Sequence, residues 1–306
     1  MPCFRPECSP SIYVILPYFN FCGFQRRRQL FIEFVEHMKD TEGVRIVIAE
    51  VDGPARLPHM CVWKHLRIKP VNNIWVKECL VNMAVKSLPK NWERMAWIDA
   101  DIEFLNKDWV HEAALELGSS DVIQLFQTAV NLGPNGESMK IDKSFAYMAK
   151  ESGTPYVKND IYGFWHPGYA WACTQRAWKR MGGLIDWAIL GSGDRHMAHA
   201  LYGNIIESCP GNVHPNYKLL LEEYQKKCKG LKLSYIQGTI LHKWHGSLAN
   251  RKYKERWNIL TKLQYDPIGD VTKTTKGLIK LTERGKRFIE PLNDYFQERA
   301  EDGIAV

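Results

Sequence analysis

The sequence predicts an α/β fold whose mostly parallel sheet is flanked by helices, and three observations carry that prediction. Apolar, β-rich runs at residues 11–17 (SIYVILP), 44–51 (VRIVIAEV) and 95–104 (MAWIDADIEF) are separated by segments of helical period. Strands alternating with helices build parallel sheets with right-handed crossovers. The first run is apolar throughout rather than alternating, as in a strand covered on both faces. The third passes from apolar residues directly into Asp99-Ala100-Asp101, and open α/β sheets bind ligands beyond the carboxyl ends of their strands. With 306 residues, 45% hydrophobic and 25% charged, the chain can bury a large core, which excludes disorder as its main state.

The elements follow in order. After the first strand, Leu30, Phe31, Phe34, Val35 and Met38 recur at spacings of three and four, which predicts an amphipathic helix. Residues 74–88 read as a second helix closed by Pro89. From Asp121, DVIQLFQTAVNL reads as one strand and GPNGESMK as a turn, and residues 134–160 lack a period and read as a loop or lid. Tyr169 to Cys173 forms a strand, followed by a short helix and a Gly182-Gly183 stop. Gly191-Ser192-Gly193-Asp194 turns into another helix, and residues 233–246 supply late strands. There is no repeat and no linker, so one domain is expected over residues 11–265, with a basic, helical extension at 266–306 packed on it.

Lys and Arg number 41 against 34 Asp and Glu, a formal net charge of +7. Residues 242–290 hold 12 of these bases and 5 of these acids, which accounts for the whole excess. Basic character this local favours a diphosphate or an acidic acceptor over general nucleic-acid binding. No apolar run approaches the ~20 residues of a membrane span, and MPCFRPECSP has no charged region leading into an apolar stretch. A soluble cytoplasmic protein is therefore expected, its eight scattered Cys reduced.

Three clusters could carry chemistry. Asp99 and Asp101 leave a buried strand end, where two carboxylates need a cation or hydrogen-bond donors; hard oxygen ligands suit Mg²⁺ or Mn²⁺, and capping of the next turn is the plain alternative. His242-Lys243-Trp244-His245-Gly246 offers two imidazoles. If it is a strand, alternation places His242 and His245 on opposite faces, so one of them at most reaches a metal. The third cluster is the glycine-rich turn ending in Asp194, which suits a helix N-cap and equally a carboxylate held as a general base.

Taken in order, Pro17-Tyr18-Phe19-Asn20, Asp99-Ala100-Asp101, Gly182-Gly183-Leu184-Ile185-Asp186 with Gly191-Ser192-Gly193-Asp194, and His242 to Gly246 resemble the GT-A-fold glycosyltransferases. The likeness is to inverting family-two-like enzymes and galactosyltransferase-type C-terminal domains, and it runs from about Ser11 to Tyr265. It implies a Rossmann-like GT-A fold and a metal-dependent inverting transfer from a nucleotide-sugar donor to a hydroxyl of a glycan or other acceptor, with a nucleic-acid acceptor as one option. Pro17, Asn20 and Arg27 would lie by the nucleotide, Glu50 and Asp52 would reach base or ribose, and Lys77 would approach the nucleotide-sugar. Asp99 would contact ribose or sugar, Asp101 would bind Mn²⁺ or Mg²⁺ with His242 or His245, and Asp194, beside Gly193, would be the base. Lys243, Arg251, Lys252 and Arg256 are the candidates for the diphosphate, and Trp165, Tyr169 and Trp171 for an acceptor wall. The chain departs from the galactosyltransferase type in placing Arg195 after Asp194, where that type has consecutive acids. A metal-dependent phosphohydrolase and a non-catalytic nucleic-acid or glycan binder are the competing classes.

Overall fold

A computed structural model describes residues 11–157 and 163–303. In chain order the elements are β1 (Ile12–Tyr18), α1 (Gln25–Met38), β2 (Val44–Val51), β3 (Lys64–Ile68), α2 (Lys77–Val85), β4 (Arg94–Ile98), β5 (Ile102–Phe104) and α3 (Trp109–Glu116). Next come β6 (Val122–Gln124), β7 (Thr128–Leu132), β8 (Ser138–Lys143), α4 (Phe145–Glu151), β9 (Ala170–Thr174), α5 (Gln175–Met181), α6 (Gly193–Tyr202) and α7 (Pro215–Cys228). The chain closes with β10 (Leu233–Tyr235), β11 (Thr239–His242), α8 (Trp257–Lys262), β12 (Val271–Lys273), β13 (Ile279–Leu281) and α9 (Ile289–Glu298).

The main sheet has seven strands in the order β10-β6-β9-β4-β1-β2-β3. It is parallel except at β9, which runs antiparallel to both β4 and β6. The apolar β1 has the two-sided burial its composition predicts. Tyr13 and Ile15 join the core layer that holds α2, α5, α6, α7 and α9, while Ile12, Val14, Leu16 and Tyr18 join the layer beneath α1 and α3. Chain order reverses at β1, which pairs with β2 on one side and β4 on the other, so a crevice opens outside their carboxyl ends.

Several elements differ from the sequence reading, for physical reasons. The run 95–104 is two strands, because the backbone turns at Asp99–Asp101 and β5 leaves for a second sheet ordered β5-β11-β7-β8. The run from Asp121 divides in the same way into β6 and β7. The expected loop at 134–160 contains β8 and α4, whose patterns are too short and polar to signal themselves; residues 158–160 lie outside the described residues. Strand β3 carries Lys64, His65 and Arg67, the charged face expected of a sheet edge.

Residues of the C-terminal stretch lie in the same core as the preceding elements. Leu278, Leu281, Phe288, Leu292, Tyr295 and Phe296 lie in the same apolar layer as α2. Part of the basic excess of residues 242–290 is spent on ion pairs: Lys243 with Glu103, Lys252 with Glu298, Lys273 with Asp186, and Arg284 and Arg287 with Asp270. Cys22, Cys79, Cys173, Cys209 and Cys228 are free thiols, but Cys61 is disulfide-bonded, against the expectation; scattered spacing hides pairing in space. Cys3 and Cys8 lie outside the described residues. No described helix is long and apolar enough to cross a membrane.

Three histidines tie the core to pH. Burial depresses His166 and His199 to about 3 and drives His196 well below its ordinary value. His196 lies between Ser208 Oγ at 2.6 Å and Tyr217 Oη at 2.8 Å. An unfolded imidazole titrates near pH 6.5, so the unfolded chain binds more protons than the native one below that pH. The stability these neutral rings retain above about pH 6.5 is therefore lost progressively as pH falls towards about 3. Calorimetry is expected to give a thermal midpoint that drops steeply across this window, and a flat midpoint between pH 6.5 and 4 would refute neutral burial.

Candidate active site

The crevice outside β1 and β4 is an open cleft at the carboxyl edge of the sheet. Pro17, Tyr18 and Phe19 at the end of β1 and Asp99, Ala100 and Asp101 at the end of β4 form its floor. Arg27 of α1, Trp75 and Lys77 at the start of α2, His245, Arg251 and Arg299 complete it.

At one side Asp101 meets both histidines. Its Oδ2 is 2.8 Å from His245 Nε2 and 3.9 Å from His242 Nε2, and the two Nε2 atoms are 3.3 Å apart. The alternation argument that set the imidazoles on opposite faces fails because β11 ends at His242; the chain then leaves strand geometry, and Gly246 adopts φ +88°. The ligand atoms of the three side chains lie within 4.8 Å of one another. Asp101 Oδ1 is buried without a hydrogen-bond partner, which is costly unless a cation takes it. Burial opposes charge on Asp101, but His245, His242 and Arg251 more than offset it and hold the carboxyl far below its usual range. Burial holds His242 at about 3, so it is neutral and free to ligate. One carboxylate and two imidazoles fit a divalent cation, and nitrogen donors favour Mn²⁺ over Mg²⁺, which prefers an oxygen shell.

Lys77 forms the centre of the other half. Its Nζ is 2.6 Å from Asp99 Oδ1 and 2.7 Å from Asp194 Oδ2. Burial would discharge this amine, but the carboxylates of Asp194, Asp99 and Glu78 more than compensate and keep it protonated. Burial also pushes Asp99 up to about 6 and, with the charge of Asp194, Glu78 up to about 8. Asp194 is not the N-cap. Ser192 takes that position at φ 75°, held by Arg256 through a 2.9 Å bond to its Oγ, and Asp194 lies in the first turn with its side chain on Lys77. A Cβ at Gly193 would run into the Glu78 carboxyl, so glycine here permits close packing of α6 on α2 rather than contact with a ligand.

The third part comes from the tail. Glu301, 1% exposed, pairs with Arg27 at 3.1 Å and Arg299 at 2.6 Å, and its Oε2 is 3.5 Å from His245 Nδ1. Arg251 Nη2 lies 2.9 Å from both nitrogens of the same ring. An Ala at Gly246 would take a left-handed φ with its Cβ 3.0–3.2 Å from the backbone of residues 299–301. Gly246→Ala is expected to cost ~1–3 kcal/mol and to weaken Mn²⁺ binding by loosening this brace; an unchanged melting temperature would refute the packing argument.

Other expected site residues take different positions. Glu50 is fully buried and consumed by Leu57 N, His65 and Arg67, so it fastens the loop after β2 instead of reaching a base. Asp52 pairs with Arg56. Asn20 bonds the backbone of Phe24 from both ends of its amide and shapes the turn before α1. Lys243 points to Glu103, and Arg256 to Ser192 and Tyr295. Trp171 is wholly buried and bonded to Pro167 O, Tyr169 packs between His166 and His242, and Trp165 is half-buried. Sequence reasoning missed Trp75, Arg299 and Glu301, which no spacing connects to the earlier motifs.

No family model and no curated protein matches the chain. Among solved structures, it is similar to a mannosyltransferase from Pyrobaculum calidifontis in complex with GDP-Man and Mn²⁺, at 10% identity and TM-score 0.42, covering 95% of this chain and 71% of that one. A fragment of TarS from S. aureus gives 14%, 0.41, 94% and 71% for the same quantities. The catalytic domain of Drosophila β1,4-galactosyltransferase 7 with xylobiose gives 11%, 0.38, 89% and 94%. Likenesses this loose carry no weight for function, which rests on the chain's own side chains.

Proposed function

We propose that this chain is a GT-A-type glycosyltransferase, metal-dependent and inverting, that moves a sugar from a nucleotide-diphosphate sugar, first of all a UDP-sugar, to a hydroxyl of a glycan or similar acceptor. The observation that carries this reading is the convergence of two centres on one cleft: the Asp101, His242 and His245 ligand set, and the Asp194 carboxylate joined to the cleft through Lys77 and Asp99.

Asp101, His242 and His245 would hold the divalent cation, which when bound supplies Lewis-acid charge to the donor's phosphate oxygens. Arg27, Arg251 and Arg299 line the same cleft and present positive charge where the diphosphate leaving group gathers electrons. Lys77 fixes the orientation of Asp194 and separates it from Asp99. Asp194 takes the proton of the acceptor hydroxyl as that oxygen bonds to the anomeric carbon. The bond from this carbon to the diphosphate oxygen breaks on the opposite face, and its electron pair leaves with the nucleotide. Attack and departure on opposite faces invert the configuration without a covalent intermediate on the protein.

Lys243, Lys252, Lys273, Arg284 and Arg287 of the basic stretch are held in ion pairs, which lowers the positive charge it offers to a nucleic-acid acceptor. A thermal-shift screen of nucleotides and nucleotide-sugars, with and without Mn²⁺, tests the donor. A Mn²⁺-dependent rise with one nucleoside diphosphate is expected. Absence of any such rise would overturn the reading, and phosphate release at full rate without an acceptor would replace it with a hydrolase.

A further inference from the structure

An imidazole ligates a cation only through a ring nitrogen that carries no proton, so the partner of the other nitrogen decides which one of His242 can face a metal. Its Nδ1 is 3.0 Å from Asn131 Oδ1, which also accepts from Tyr169 Oη at 2.7 Å. The other end of that amide, Asn131 Nδ2, donates to Asp142 Oδ2 at 3.0 Å. All of this is enclosed: Asn131 is 4% exposed, and Asp142 and His242 are 8% exposed.

The chemistry of these groups admits one arrangement. A carboxylate accepts only, so the Asn131 atom that faces Asp142 must be its NH₂. The amide oxygen then faces His242, and because it too only accepts, Nδ1 must carry the proton. Nε2 is then the nitrogen turned towards Asp101 and His245, the one through which the ring can ligate. The sheet builds this geometry, since Asn131 of β7 pairs directly with His242 of β11 and Asp142 of β8 lies one diagonal away, opposite Ala129. Lys140 Nζ pairs with the other oxygen, Asp142 Oδ1, at 2.8 Å.

We infer that Asn131 and Asp142 are a positioning pair: Asp142 sets the amide, and the amide locks His242 as the Nδ1–H tautomer with Nε2 available to a divalent cation. The inference rests on the metal reading proposed above, and it gives the β7–β8 hairpin a part in the site although neither residue touches a substrate.

Two measurements test it. Nitrogen-resolved NMR of the metal-free full chain is expected to find the proton of His242 on Nδ1, and finding it on Nε2 would overturn the inference. This readout is independent of whether the protein binds metal, so failure of Mn²⁺ binding in the wild type would sink the metal reading alone. Mn²⁺ titration is expected to give about 10–100-fold weaker binding in Asn131→Leu, the usual cost of losing an outer-sphere partner; unchanged affinity would overturn the inference. Should Asn131→Leu fail to fold, Asp142→Leu is expected to weaken Mn²⁺ binding and Asp142→Asn, which keeps an accepting oxygen, to restore it. Equal affinities in those two variants would overturn the inference as well.

Discussion

Asp194→Asn is expected to lower turnover about 10²–10⁴-fold, the usual contribution of a general base, while Mn²⁺-dependent nucleotide binding persists. Asparagine keeps the shape of the side chain and an oxygen that can accept the 2.7 Å bond from Lys77, so the α2–α6 contact survives. The proton acceptor is what disappears. Lys77→Met provides the contrast: it leaves Asp99, Asp194 and Glu78 in one enclosed volume without their shared cation, so it should impair folding and donor binding as well as turnover. Steady-state rates beside Mn²⁺ and nucleotide titrations separate the two effects. Full activity in Asp194→Asn would remove this residue from the chemistry, and loss of nucleotide binding in that variant would make its role structural.

The parts of the molecule that sequence foretold are those where one segment determines its own environment. β1 is apolar on both faces and had to be central, α1 shows its buried stripe, and an acid pair ending an apolar strand belongs at a sheet's carboxyl edge. Such local reasoning singles out Asp99, Asp101, Asp194 and one of His242 and His245, while Lys77 is named only through the resemblance to the GT-A glycosyltransferases. What stayed hidden depends on contacts between distant segments. The bend that brings both imidazoles to Asp101 follows from the end of β11, not from the residue pattern of 242–246. Glu50 has the position of a nucleotide ligand, yet His65 and Arg67 from the next strand occupy it. Arg299 and Glu301 enter the site only because α9 packs against the core that α2 helps to build.

Asp101→Ala is expected to weaken Mn²⁺ binding by more than about 100-fold, since losing an outer-sphere partner alone costs ~10–100-fold, and to abolish metal-dependent nucleotide binding with it. The carboxylate does more than ligate. It stands between two imidazoles and, with Glu301, balances Arg251, whose guanidinium contacts the His245 ring. Without it that guanidinium has one carboxylate fewer to offset it, which opposes any cation at the two histidines. The pH dependence of the metal-free protein gives a second readout. Asp101 has a folded pKa far below its unfolded value of about 3.9, so its stabilising charge is fully present above about pH 4 and is lost as pH falls below that. The Ala variant should be less stable than wild type near neutrality, and the gap should narrow in acid. Isothermal titration with Mn²⁺ and melting curves from pH 3 to 7 check both. Retained Mn²⁺ affinity would exclude Asp101 as a ligand, and a stability gap that did not shrink in acid would mean that packing, rather than the carboxylate's charge, is what the substitution removes.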